Sequence, residues 1–149
     1  MGPATLNPIF LIIISVAITA IALVYSIIHR DQSRLTRRWV FLLSLPGLIM
    51  VAGFYSFAAR MHSALGGWPD SIGTEELPKN LLLHDGIQSW MFFVTFLVAL
   101  LIPLVLALFS LVPRLRTRLI YPAFFGSACW LCLFATQLAP KGFLYWFWD

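Results

Sequence analysis

Four long runs of apolar residues alternate along the chain with shorter polar segments, at roughly Pro8–Ile28, Trp39–Ala59, Ile87–Val112 and Leu119–Ala139. Each run has about 20 residues or slightly more, so as a helix it crosses the roughly 30 Å hydrocarbon core of a bilayer. None of them contains Asp, Glu, Lys, Arg or His. Helices of water-soluble proteins carry a polar face at helical spacing, and these runs have none of useful width. The pattern predicts an all-α integral membrane protein. Its four transmembrane helices form an up-down antiparallel bundle with an outer loop cap over 60–86 and an interfacial aromatic C-terminal tail, a single domain over residues 1–149.

The polar segments alternate in charge. His29–Arg38 holds Arg30, Arg34, Arg37 and Arg38 against Asp31, a net +3. Pro113–Arg118 holds Arg114, Arg116 and Arg118, also +3. The central segment 60–86 sets Arg60 and Lys79 against Asp70, Glu75, Glu76 and Asp85, a net −2. Short basic loops next to helix ends stay in the cytoplasm. Loops 29–38 and 113–118 are therefore expected inside, with both termini and loop 60–86 outside. The expected address is a bacterial inner membrane. No Lys or Arg precedes the first run, which therefore reads as a span and not as a signal peptide with a basic n-region.

Composition adds little to this picture: 60% of residues are apolar and 11% charged, as in membrane chains. The net charge of +4 resides in loops whose topology already requires it, so it argues for anionic lipid headgroups nearby and not for nucleic acid. Pro46 and Pro103 fall inside the second and third runs, where each removes an amide proton and kinks a helix. Ala52/Ser56 and Gly126/Trp130 give local small-residue faces on which helices approach closely, within this bundle or against another subunit. Trp39 suits the inner interface, and Trp68, Trp90, Tyr145, Trp146 and Trp148 the outer one. The tail 140–149 is too short to span again and is expected at the outer leaflet or against a partner.

Candidate chemistry is sparse. His62 and His84 flank the outer segment, with Asp70, Glu75, Glu76 and Asp85 near them in sequence. Two imidazoles and a carboxylate hold a divalent metal where they converge, although this spacing matches no metal motif. Haem ligation needs histidines at one depth on facing helices. His29 lies at the opposite end from the other two, so no cofactor is expected. Cys129 and Cys132 enclose Trp130 and Leu131 near the middle of the last run. CxxC is a redox motif at an accessible helix N-terminus, whereas a low-dielectric setting suppresses the thiolate it needs. These four residues resemble the membrane-embedded CxxC of quinone-linked thiol oxidoreductases of the vitamin K epoxide reductase type. That resemblance implies a redox role for Cys129 and Cys132, but the chain has only these 2 cysteines. The loop cysteines through which those enzymes relay electrons are missing, and the expected topology is inverted.

Absences discriminate too. A proton-coupled transporter places an ionisable side chain inside its spans, as small four-helix multidrug exporters do with a Glu in the first helix. Here the spans offer only mild groups such as Ser15, Thr19, Tyr55, Gln88 and Thr136. Three readings follow. The first is a non-catalytic accessory or structural subunit of a membrane complex, or a homo-oligomer, partnered by the bilayer and another membrane protein or itself. The second is an enzyme or binding protein acting on a lipid, quinone or other amphiphile at the outer face through the cluster of His62, His84, Asp70, Glu75, Glu76 and Asp85. The third is a thiol-redox protein using Cys129 and Cys132.

Overall fold

The computed structural model describes residues 8–29, 35–68 and 77–148. They are helical, with no strand among the described residues. In chain order the helices are α1 (Pro8–Ile28), α2 (Arg37–Leu65), α3 (Lys79–Leu111), the single turn α4 (Pro113–Arg116), α5 (Ile120–Thr136) and α6 (Lys141–Trp148). By length and composition α1, α2 and α3 each suffice to cross a membrane. The pair α5 and α6 passes the same test together but turns through 110° at its break, so among the described residues the candidate spans number three, or four with the bent pair counted as one.

Helix ends follow local chemistry more closely than hydropathy. The first helix coincides with its apolar run. By contrast, α2 continues through Arg60 and His62 until Gly66, whose φ of 70° supplies the left-handed C-cap. Helix α3 starts at Lys79, directly after Pro78, well before the apolar run begins at Ile87. Polar residues such as Arg, Lys and Glu are good helix formers, so a change in polarity marks a membrane boundary without ending a helix. At 29 and 33 residues, α2 and α3 reach beyond a bilayer core.

The last apolar run is cut short. Pro140 has no amide proton and disfavours helical backbone at the residue before it. The final turn of α5 tightens accordingly, with Gln137, Leu138 and Ala139 amides donating to the carbonyls of Phe134, Ala135 and Thr136 at 3.0, 3.1 and 3.2 Å. The chain then folds back as the helix α6.

Helix α5 contacts α1, α2 and α3, and α3 contacts the same two neighbours in turn. Consecutive helices α1 and α2 make no comparable contact, so the α3–α5 pair lies between them. Small residues set these distances. A Cβ on Gly126 of α5 would lie 2.6 Å from Ile102 of α3 and 3.0 Å from Thr19 of α1. On α2, a Cβ at Gly47 would meet Cys132 Sγ of α5 at 2.8 Å.

Interior polar groups are spent on the backbone. Pro103 cannot donate to the carbonyl of Ala99, one helical turn earlier, and the Ser15 hydroxyl of α1 donates to that carbonyl instead at 2.9 Å. The buried Gln88 amide donates to the Met50 carbonyl at 3.1 Å, linking α3 to α2. Tyr55 donates to the Ala135 carbonyl at 2.8 Å, tying α2 to the tightened last turn of α5. Such bonds between membrane helices contribute about 0.6 kcal/mol each.

An aromatic cap closes one end. Phe143 of α6, fully buried, packs edge-on against Phe54 and Phe57 of α2 at ring distances of 5.1 and 5.7 Å. Trp68 clamps α6 from the far side, lying where a Cβ on Gly142 would come within 2.9 Å of its ring. The opposite end, carrying Arg37, Arg38, Arg114, Arg116 and Arg118, has no comparable cover among the described residues.

Candidate functional site

The outer His-carboxylate group divides between two environments. His62 is exposed near the C-terminal end of α2, its ring 4.6 Å from Trp68. His84, half-buried in the first turns of α3, lies 5.1 Å from the Phe57 ring, with Arg60 Nη1 at 3.4 Å from its Nδ1. Arg60 and His62 are adjacent-but-one on α2, a spacing that places side chains on different faces of a helix. The two imidazoles thus pack against different rings. Asp85 follows His84 and is hydrogen-bonded to Ser89. Asp70, Glu75 and Glu76 lie outside the described residues. Among the described residues no three His, Cys, Asp or Glu side chains form a group that could hold a metal ion.

Cys129 and Cys132 are both free and both buried. They sit in the middle layer of the core with Met50, Ala99, Trp130 and Leu133. Gly47 of α2 approaches Cys132 directly, so this pair of small side chains sits at the α2–α5 contact. Trp130 between them is buried against Phe96 and Phe134, and its indole Nε1 has no hydrogen-bond partner among the described residues.

The aromatic residues separate by burial. Trp39, Trp90, Tyr145 and Trp148 are exposed, as interface anchors would be. Trp39 meets Tyr121 edge-on at the basic end. Trp146, only 9% exposed, belongs to the aromatic cap with Phe57 and Phe143. Trp68 is half-buried beneath α6.

The small-residue faces behave in opposite ways. Gly126 packs inward, as described above. Ala52 and Ser56 are exposed, and so are Ala59 and Ser63 further along α2. Together these four residues form one stripe, with successive members three or four positions apart on a single helix face. The inner side of the same helix is buried through Gly47, Met50, Phe54, Phe57, Ala58 and Met61. Ala59 and Ser63 extend the sequence signal at Ala52/Ser56, but only burial reveals which way it faces.

A second feature invisible in the sequence is a groove of about 950 Å³ at the basic end, between α1, α3 and the α4–α5 corner. Its walls are apolar, while Tyr25, Ser26, His29, Ser110, Arg116 and Thr117 stand at its polar mouth. No family model, curated protein or solved structure matches the chain.

Proposed function

We propose that this chain is a small non-catalytic integral membrane protein that works by association, as an accessory or structural subunit of a larger membrane complex or as a homo-oligomer. In this reading α1, α2, α3 and the bent α5–α6 pair form a four-helix bundle in a bacterial inner membrane. The basic connections face the cytoplasm, and both termini with loop 60–86 lie outside. It requires the bilayer and a protein partner, and no cofactor.

The observation that carries this reading is the exposed stripe of Ala52, Ser56, Ala59 and Ser63 on α2. Lipid chains are as apolar as leucine, so association of helices inside a membrane draws on close packing, which small side chains permit. Elsewhere the outward faces carry bulky apolar groups such as Ile13, Leu104 and Leu131. A small-residue stripe among them suits a second helix better than it suits lipid. The interior supports the same conclusion, since Ser15, Tyr55 and Gln88 are committed to structural hydrogen bonds.

An outer-face enzyme has weaker geometric support, because His62 and His84 pair with different neighbours. The redox reading must reach two buried thiols in a packed layer. Mild-detergent extraction followed by native mass spectrometry tests the proposal. A stoichiometric protein partner or a defined oligomer supports it, and a strict monomer without any co-purifying protein refutes it.

A further inference from the structure

Beyond the α2 face, the basic end carries a second feature, the groove between α1, α3 and the α4–α5 corner. The groove of about 950 Å³ has the size of a site for one amphiphilic small molecule. Along its length run Ile18 and Ile21 of α1, Pro103 and Leu106 of α3 and Ile120 of α5, with no charged group among them. Its mouth lies where α1 and α3 end and α4 begins, at the level of the arginine-rich connections.

Arg116 is held at that mouth. Its Nε donates to the Ser110 carbonyl at 2.6 Å, satisfying one of the carbonyls that the end of α3 leaves without helical partners. The bond fixes the guanidinium while its terminal nitrogens have no partner among the described residues. Across the groove, His29 stacks on Tyr25 at 4.2 Å, and its Nδ1 donates to the Tyr25 carbonyl at 3.0 Å. The Tyr25 hydroxyl likewise has no hydrogen-bond partner among the described residues. A guanidinium fixed through its Nε, with both terminal nitrogens left to donate, matches a phosphate, which accepts paired charge-assisted bonds from arginine. Arg114 and Arg118 add positive charge at the same corner, where anionic headgroups accumulate.

We propose that this groove binds one anionic phospholipid, its phosphate on Arg116 and an acyl chain along Ile18, Ile21 and Leu106. A free phosphate would leave the apolar length unused, and a zwitterionic lipid would bring its own cation to a corner that already carries Arg114, Arg116 and Arg118. The site functions whether or not the α2 stripe has a protein partner, because the lipid lies between α1 and α3 and its mass is read on this chain alone.

The test uses the full chain reconstituted in vesicles of dioleoylphosphatidylcholine and dioleoylphosphatidylglycerol in equal parts, then extracted for native mass spectrometry. The wild type retains phosphatidylglycerol in preference to phosphatidylcholine by about tenfold, the scale of one charge-assisted contact. Arg116→Gln removes the preference. Ala107→Trp, at an exposed position on the groove wall, removes both adducts. Circular dichroism of each variant matches the wild type, and soluble glycerol phosphate displaces nothing. Equal retention of the two lipids by the wild type overturns the proposal. So does unchanged preference in Arg116→Gln with the fold intact, absence of any lipid adduct, or displacement by glycerol phosphate.

Discussion

Helix α2 carries small residues on two faces, and the two faces do different work. On the inner face, Gly47 and Gly53 lie where any Cβ would collide, with Cys132 Sγ at 2.8 Å and with Gln88 Oε1 at 2.5 Å. They let α5 and α3 approach the backbone of α2. On the outer face, Ala52, Ser56, Ala59 and Ser63 are exposed and offer a second helix the same opportunity. A small residue in a membrane helix therefore has no fixed meaning until its facing is known. The inner set holds the chain together, and the outer set is free to hold a partner.

The largest expected effect lies where the inner face meets the aromatic cap. Phe143→Ala empties a fully buried site against Phe54 and Phe57 and should destabilise the fold by about 3 kcal/mol in reversible unfolding from detergent. The exposed Leu111→Ala at the other end should change stability by less than about 0.5 kcal/mol.

Gly47→Ala should cost about 2 kcal/mol, because the short Cys132 side chain cannot retreat. Gly53→Ala should cost less, about 1 kcal/mol, since the far end of Gln88 can move at the expense of its bond to Met50. Equal and negligible effects at both positions would remove the distinction between the faces.

Ser15→Ala should cost about 0.6 kcal/mol by leaving the Ala99 carbonyl unpaired. In a Pro103→Ala background that cost should vanish, because an alanine amide at that position restores the helical donor to the Ala99 carbonyl. A double-mutant cycle measures the coupling directly. Persistence of the full cost would show that Ser15 serves something other than the proline break.

On the outer face, Ala52→Leu and Ser56→Leu should leave the isolated chain's stability within about 0.5 kcal/mol. The same substitutions should dissolve its assembly, read as a shift to the monomer mass in native gels.

Much of the fold was legible in the sequence because burial in lipid and burial in protein make the same demand on composition. That equivalence also hid the rest. Hydropathy located the apolar runs but could not separate Leu131, exposed on α5, from its neighbour Leu133, which is buried. Helix ends moved because Lys79, His84, Arg60 and His62 are compatible with helix, while Gly66 and Pro78 punctuate it. Trp146 resembled an interfacial anchor until the Pro140 break turned α6 back over Phe57. The groove was invisible because Tyr25, Ser110 and Arg116 belong to segments distant in sequence and are drawn together only where α1, α3 and α4 meet. His62 and His84 looked like a pair because both flank one loop, yet helical spacing aims Arg60, the neighbour of His84, away from His62.

Photo-crosslinking in native membranes from a reactive residue placed at Ser56, with one at Leu104 as the lipid-facing control, reads whether protein covers the outer face of α2. One discrete protein adduct is expected from position 56 and only lipid adducts from position 104. Lipid adducts alone from both positions would contradict that coverage.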